Sequence, residues 1–192
     1  SSIRAQRYDS GSVRGRRVSD AGSVLHRRTP RPVRQLTWAA IMVDVVICQR
    51  KPPILTPSSI PCLRRLPTIN VTAGCALGCT YCYIQGYSCY PGPDRVLLYE
   101  NTPDLVDHEL RRRRRKPRRV YFSPSSDAFQ YLPQVQTVTL RTMTVLLDAG
   151  VQVAFLTKGF VTQPFLRLFG RFPQSVFAQI GITTLDRDLW RQ

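Results

Sequence analysis

The sequence predicts an α/β protein: a partial (β/α) barrel of about four β/α units, preceded by a disordered basic arm. Two observations predict that class. From Leu66 onward, short β-branched runs alternate with amphipathic stretches that open on proline or a capping residue. Upstream of Leu66 the composition changes to Arg, Ser, Gly and Pro with little apolar pattern.

Residues 1–35 hold nine Arg and two Asp, with few large apolar side chains. Such a segment buries too little apolar surface to offset the entropy of ordering, so it reads as a disordered arm. Two readings stay open for it: a nucleic-acid-binding tail, or an extension without a selected role. Residues 36–65 read as a linker with one short apolar piece, because Pro52, Pro53, Pro57 and Pro61 prevent a long helix. Residues 66–192 are expected to form the core domain.

Within that core, Thr68–Thr72 is β-branched and reads as a buried strand. A cysteine-rich loop follows. Asn101 or Thr102 then caps a helix with Pro103 in its first turn. Leu105, Val106 and Leu110 give its apolar side, Arg111–Lys116 suit the helix dipole at its end, and Pro117 stops it. Arg119–Ser123 reads as the second strand. Pro133–Ala149 is the second helix, apolar at Val135, Val138, Met143, Leu146 and Leu147, with Gly150 as its stop. Val151–Thr157 is the third strand, Gln163–Phe172 the third helix and Val176–Thr183 the fourth strand. Asp186–Arg191 begins a fourth helix. Strands alternating with helices imply a parallel sheet with right-handed crossovers. A closed eight-unit barrel takes about 250 residues. The expectation is therefore an open sheet or a truncated barrel, and a pattern that stops inside a helix favours truncation.

Composition sets limits on function. Of 192 residues, 43% are hydrophobic and 21% charged, which suits a packed core and excludes a wholly disordered or collagen-like chain. No run of about 18 apolar residues is present, so no membrane span is expected. The longest candidate, Ala39–Cys48, is short and contains Asp44. The Arg-rich start lacks the order of a secretory signal. Lys and Arg total 28 against 12 Asp and Glu, a net charge of +16, which attracts polyanions such as nucleic acid. Only Lys51, Lys116 and Lys158 are lysines, a bias that GC-rich coding also produces.

Six cysteines occur: Cys48, Cys62, Cys75, Cys79, Cys82 and Cys89. Three fall within eight residues, which reads as metal or cluster binding in a reducing, cytoplasmic compartment and not as a disulfide scaffold. The spacing C-x3-C-x2-C directly follows the first strand. Three thiolates hold three irons of a four-iron cluster and leave the fourth open to a small molecule. Gly74 and Gly78 let the backbone wrap such a body without Cβ clashes. A tetrahedral zinc site is the alternative and needs a fourth Cys or His. Cys89 is the nearest candidate, while His26 lies in the arm and His108 on a helix. Structural thiols are the third reading.

The loop Gly74–Tyr83, with Tyr81 as the aromatic before the third cysteine, resembles the radical SAM superfamily signature CX3CXΦC. That resemblance implies a truncated radical SAM (β/α) barrel. It implies a 4Fe-4S cluster held by Cys75, Cys79 and Cys82, with S-adenosylmethionine chelated at the open iron. An external electron donor would drive reductive cleavage to a 5′-deoxyadenosyl radical, which abstracts a hydrogen atom. From about Leu55 to Gln192 the chain further resembles the spore photoproduct lyase-like branch. The stretches that carry this are GCALGCTYCYIQGY (Gly74–Tyr87), YFSPSSDAFQ (Tyr121–Gln130), VAFLTKG (Val153–Gly159) and GITTLDRDLWR (Gly181–Arg191). They fall at strand C-terminal ends, where a barrel builds its site.

The branch implies that Ser126 and Asp127 contact the methionine end of the cofactor; a helix N-cap is the plain alternative. It implies that Lys158 reaches the cofactor carboxylate; a solvated surface charge is the alternative. Thr183, with Thr184, would supply a hydroxyl near the ribose or methionine, and Tyr81 and Tyr83 would belong to the cofactor pocket. The chain departs from the branch in lacking strands five and six. No catalytic hydrogen-donor thiol is assigned: Cys89 lies out of context, and Cys48 and Cys62 read as small core or surface residues. The leading expectation is a lyase-like radical enzyme, with a DNA lesion as one possible substrate and activity limited by the incomplete barrel. The alternatives are a radical enzyme acting on a peptide or small molecule, and a non-catalytic, zinc- or cluster-stabilised nucleic-acid-binding fragment using the Arg arm and the Arg111–Arg119 run.

Overall fold

Eleven regular elements follow one another in the computed structural model, which describes residues 43–58 and 60–186. They are β1 (Asp44–Cys48), β2 (Thr56–Pro57), β3 (Pro67–Ile69), β4 (Thr72–Ala73), β5 (Arg95–Tyr99), α1 (Thr102–Arg112), β6 (Arg119–Phe122), α2 (Pro133–Asp148), β7 (Gln152–Thr157), α3 (Gln163–Arg171) and β8 (Val176–Ile180). The basic arm expected over residues 1–35 lies outside the described residues, as does the expected helix beyond Asp186.

The larger sheet has the order β2-β3-β6-β7-β8. Strands β3, β6, β7 and β8 are parallel, with Ile69 opposite Phe122, Val120 opposite Val153 and Phe155 opposite Ala178. Strand β2 runs antiparallel at its edge. Helices α1, α2 and α3 connect the later strands and bury Val106, Leu110, Val135, Met143, Leu146, Phe165 and Leu168. Burying one such side chain fully contributes about 1.5–3 kcal/mol. The centre of the core is aromatic: Phe129 lies 4.7 Å from Phe155 and 4.8 Å from Phe165, ring to ring. Gly150 ends α2 with φ of 77°, the left-handed stop its sequence suggests.

A second sheet, β1-β5-β4, was not expected. Two of its strands, β1 and β5, pair in parallel with Val45 opposite Val96, and β4 runs antiparallel to β5. The described part of the 36–65 segment is thus structured: it holds β1, β2 and a single 3-10 turn at Pro61–Leu63. Local pattern hides this, because β1 is partly exposed and its partner lies far along the chain. The expected strand Thr68–Thr72 is also divided. It breaks at Asn70, whose carboxamide accepts the Ser125 N–H (3.0 Å) and whose carbonyl accepts Arg50 Nη1 (2.9 Å). The chain crosses there from the larger sheet to the smaller one. Asn101 does occupy the N-cap position of α1, but its side chain bonds both backbone groups of Arg50 instead of the helix. Strand β8 stops at Ile180, three residues before Thr183, where the Gly181 N–H bonds the Thr157 carbonyl (2.7 Å).

Candidate active site

The loops after β4, β6 and β7 leave the sheets at their C-terminal ends and enclose one cleft of about 240 Å³. Cys75, Cys79 and Cys82 line it from the first loop, Ser123–Asp127 from the second, and Thr157 and Lys158 from the third. Parallel β6 and β7 place their C-terminal loops on one side of the larger sheet, and the loop after β4 is tied to them through Thr72, Ser126 and Gln130.

The cysteine loop is held by backbone and buried side chains. Gly74 has φ of +85°, and a Cβ there would meet the Arg95 carbonyl oxygen at 2.6 Å. Only glycine fits. The Cys82 N–H bonds the Cys79 carbonyl (3.0 Å), closing a turn that presents both thiols to the cleft. Gln130 is fully buried and anchors the loop: its Oε1 accepts the Ala76 N–H (2.8 Å) and its Nε2 donates to Thr72 Oγ1 (3.1 Å). The Thr72 hydroxyl in turn lies 3.0 Å from Ser126 Oγ. Burial pushes the Cys75 thiol above its ordinary pKa, although N–H groups of Leu77 and Asp127 pull the other way.

Asp127 is the most heavily bonded acid. Its carboxylate accepts the Phe129 N–H (2.8 Å), the Thr157 hydroxyl (2.8 Å), the Lys158 N–H (2.8 Å) and the Gly159 N–H (3.2 Å). A carboxylate offers about four acceptor sites, so this one is saturated. It clamps the loop after β6 to the end of β7. The alternative of a helix cap does not hold, since α2 begins six residues later behind Leu132. Gly159 completes the clamp, for a Cβ there would lie 2.5 Å from the Phe129 carbonyl oxygen. Lys158 is exposed at the rim, its Nζ 5.7 Å from the centroid of the Tyr81 ring.

Tyr83 lines the cleft, donates its hydroxyl to the Pro124 carbonyl and packs edge-on against Tyr87. Burial raises its phenol pKa. Tyr81 is 63% exposed and touches the site only through Lys158. Thr183 is exposed and is not brought to the cleft, because β8 ends before it; Thr184 accepts the Asp186 N–H instead. Cys62 and Cys89 are exposed and Cys48 sits on β1; none of the three lines the cleft. Among the described residues no three His, Cys, Asp or Glu side chains converge on a single-ion position.

Sequence reasoning missed Gln130 and Ser123. Ser123 directly follows β6 with φ of 49°, is 5% exposed, lines the cleft, and has a buried hydroxyl with no hydrogen-bond partner. A left-handed backbone and an unpartnered buried hydroxyl in one residue are features that cluster at ligand sites. Nothing in a Ser-Pro pair signals this, since the strain belongs to the strand end.

A family model described as the radical SAM superfamily matches residues 69–192. Among solved structures, a mutant of spore photoproduct lyase matches with a TM-score of 0.53 and 18% identity, covering 81% of this chain and 45% of that one. A double mutant of the same lyase, with bound AdoMet and dinucleoside spore photoproduct, matches with a TM-score of 0.53 and 17% identity over the same shares. The likeness is one of fold, and this chain spans about half the length of those structures. No curated protein matches the chain.

Proposed function

We propose that this chain, which belongs to the radical SAM superfamily, holds a 4Fe-4S cluster and S-adenosylmethionine in the cleft at the C-terminal ends of β4, β6 and β7. The observation that carries the reading is the meeting of three thiols with an unpartnered buried hydroxyl, Ser123, in one cleft. The donor set suits a cluster. Cys75, Cys79 and Cys82 would each hold one iron, and no fourth Cys or His lines the cleft. A tetrahedral zinc site would ask for a fourth Cys or His beside the three thiols, and none lines the cleft.

Held by Cys75, Cys79, Cys82 and Lys158, a cluster and S-adenosylmethionine would supply reductive radical chemistry with an external electron donor. The chain's own residues bind and orient. Lys158 offers its ammonium to a carboxylate at the rim. Ser123 offers a hydroxyl to a polar group within the cleft. Asp127 positions Lys158 by fixing its backbone, and Gln130 fixes the cysteine loop. Tyr83 walls one side.

The parallel strands β3, β6, β7 and β8 are read as an arc of a (β/α) barrel. The substrate in this proposal is a nucleic-acid lesion. Exposed Tyr81 and Tyr83 at the cleft suit base stacking, and one solved neighbour carries a dinucleoside photoproduct. Cluster chemistry of this kind suits a reducing, cytoplasmic setting.

Anaerobic reconstitution with iron and sulfide tests the reading. About four irons per chain and broad thiolate-to-iron absorbance are expected. Cys75→Ala, Cys79→Ala and Cys82→Ala should each abolish both, whereas Cys48→Ala and Cys62→Ala should not. With dithionite, the loaded chain should convert S-adenosylmethionine to methionine and 5′-deoxyadenosine. Stoichiometric zinc in place of iron, or cluster loss on changing Cys48, overturns the proposal.

A further inference from the structure

The residues after α1 form a loop whose Arg114, Arg115, Lys116 and Arg118 are all exposed. Every carboxylate of α1 and α2 is already paired elsewhere: Asp104 with Arg141, Asp107 with Arg111, Glu109 with Arg113 and Asp148 with Arg171. Among the described residues, none of the four loop cations has a carboxylate within ion-pair distance. Arg64 and Arg65 are exposed ahead of β3. A groove there is lined by Arg65, Leu66, Pro67, Pro117, Arg118 and Arg119.

This groove lies at the N-terminal ends of β3 and β6, while the cysteine cleft lies beyond their C-terminal ends. Strand β6 spans the gap with four residues, about 13 Å at roughly 3.3 Å per residue. A ligand in the groove is therefore not the ligand of the cleft.

Arg65, Arg118 and Arg119 line this groove together, and Arg114, Arg115 and Lys116 stand within four residues of Arg118 along the chain; like charges so placed repel one another, and an anion laid over them relieves that repulsion. They are strung along two loops and not gathered about a point, which matches a chain of phosphates better than a single one. The guanidinium fork suits phosphate oxygens in particular. A membrane surface fits less well, since such binding also uses exposed apolar anchors. Leaving tyrosines aside, the most exposed large apolar side chains, Phe160, Ile180, Ile182 and Leu185, all follow β7 or end and follow β8, away from the groove. We propose that this basic surface binds the sugar-phosphate backbone of a nucleic acid, without reading bases, at the sheet end opposite the cleft. The inference does not depend on the cleft's cofactors.

The test is fluorescence anisotropy of a labelled oligonucleotide with the full chain across a salt series. Arg114→Gln/Arg115→Gln/Arg118→Gln should weaken binding about tenfold and reduce the salt slope by about 2 to 3. Arg95→Gln/Arg141→Gln/Arg171→Gln removes the same charge from paired sites and should change affinity less than about twofold. Lysine at positions 114, 115 and 118 should retain most of the binding. The parent chain before reconstitution should bind the oligonucleotide as the iron-loaded chain does, which separates this inference from the cofactor reading. Equal losses in the two glutamine triples would overturn it, by assigning the binding to net charge alone. Capture by phosphatidylserine vesicles with no oligonucleotide binding would overturn it as well.

Discussion

Ser123 and Asp127 sit four residues apart and respond to the fold in opposite ways. Ser123 keeps a buried hydroxyl without a partner, and burial of that kind costs about 1–3 kcal/mol. Ser123→Ala should therefore leave the cofactor-free chain as stable as the parent or up to about 1 kcal/mol more so. If the hydroxyl serves the ligand, the same change should weaken S-adenosylmethionine binding about tenfold, one charge-neutral hydrogen bond. Thermal melting beside equilibrium binding checks both, and unchanged binding would leave Ser123 as strain without a role. Asp127 has the reverse profile. Asp127→Asn replaces an acceptor-only group by one that presents two donors to N–H groups. It should destabilise the cofactor-free chain by about 2–3 kcal/mol. Lys158→Ala, at an exposed position, should lower cofactor binding without moving the melting temperature. Equal melting shifts for the two variants would remove the distinction between clamp and contact.

Among elements, helix α1 ties the segment between β1 and β2 to the core. Glu109 accepts the N–H groups of Ile54 (2.7 Å) and Leu55 (3.3 Å) and pairs with Arg113, whose Nη2 also donates to the Leu55 carbonyl (3.0 Å). Burial alone would raise the Glu109 carboxyl, but those N–H groups and the guanidinium outweigh it and hold it below its ordinary 4.5. A depressed folded pKa means the ionised form is the stabilising one. Its contribution is complete above the unfolded value of 4.5 and is lost as pH falls through the folded value. Glu109→Gln should lower stability at neutral pH by about 2 kcal/mol. The gap between parent and variant should narrow as pH drops below about 4. Denaturant titrations at neutral and acidic pH measure this, and a gap independent of pH would assign the loss to packing.

For the molecule as a whole, the open edge of the larger sheet is the feature with solution consequences. Among the described residues β8 has a partner on one side alone, and Phe177 and Ile180 are 40% and 59% exposed. Leu156 on β7, 44% exposed, adds apolar area beside them. An exposed apolar edge strand is a template for pairing with another chain. The chain should therefore self-associate as its concentration rises, and Ile180→Lys should shift it toward monomer. Light scattering across a concentration series decides this; a parent monomeric throughout would show that the edge is covered.

Three things followed from the sequence by itself: the mixed α/β class, the alternating order from β6 to β8, and the cysteine loop with its glycines. Each rests on short-range chemistry. Proline opens a helix, β-branched runs extend, and thiol spacing along a turn is fixed by a few dihedral angles. Strands β1 and β5 escaped notice because each is half-buried and meaningful only beside a partner some fifty residues away. The family match over residues 69–192 agrees with the resemblance carried by Cys75, Tyr81, Cys79 and Cys82. What tertiary structure alone decided was which polar groups are already satisfied. For Asp127 the sequence leaves cofactor contact and a helix cap as readings, and the fold adds what neither names: four donors on its carboxylate. Nothing local marks Ser123, yet its hydroxyl is the one buried side-chain polar group without a partner among the described residues. Hydrogen-bond satisfaction depends on distances between segments remote in sequence, and no local pattern encodes those distances.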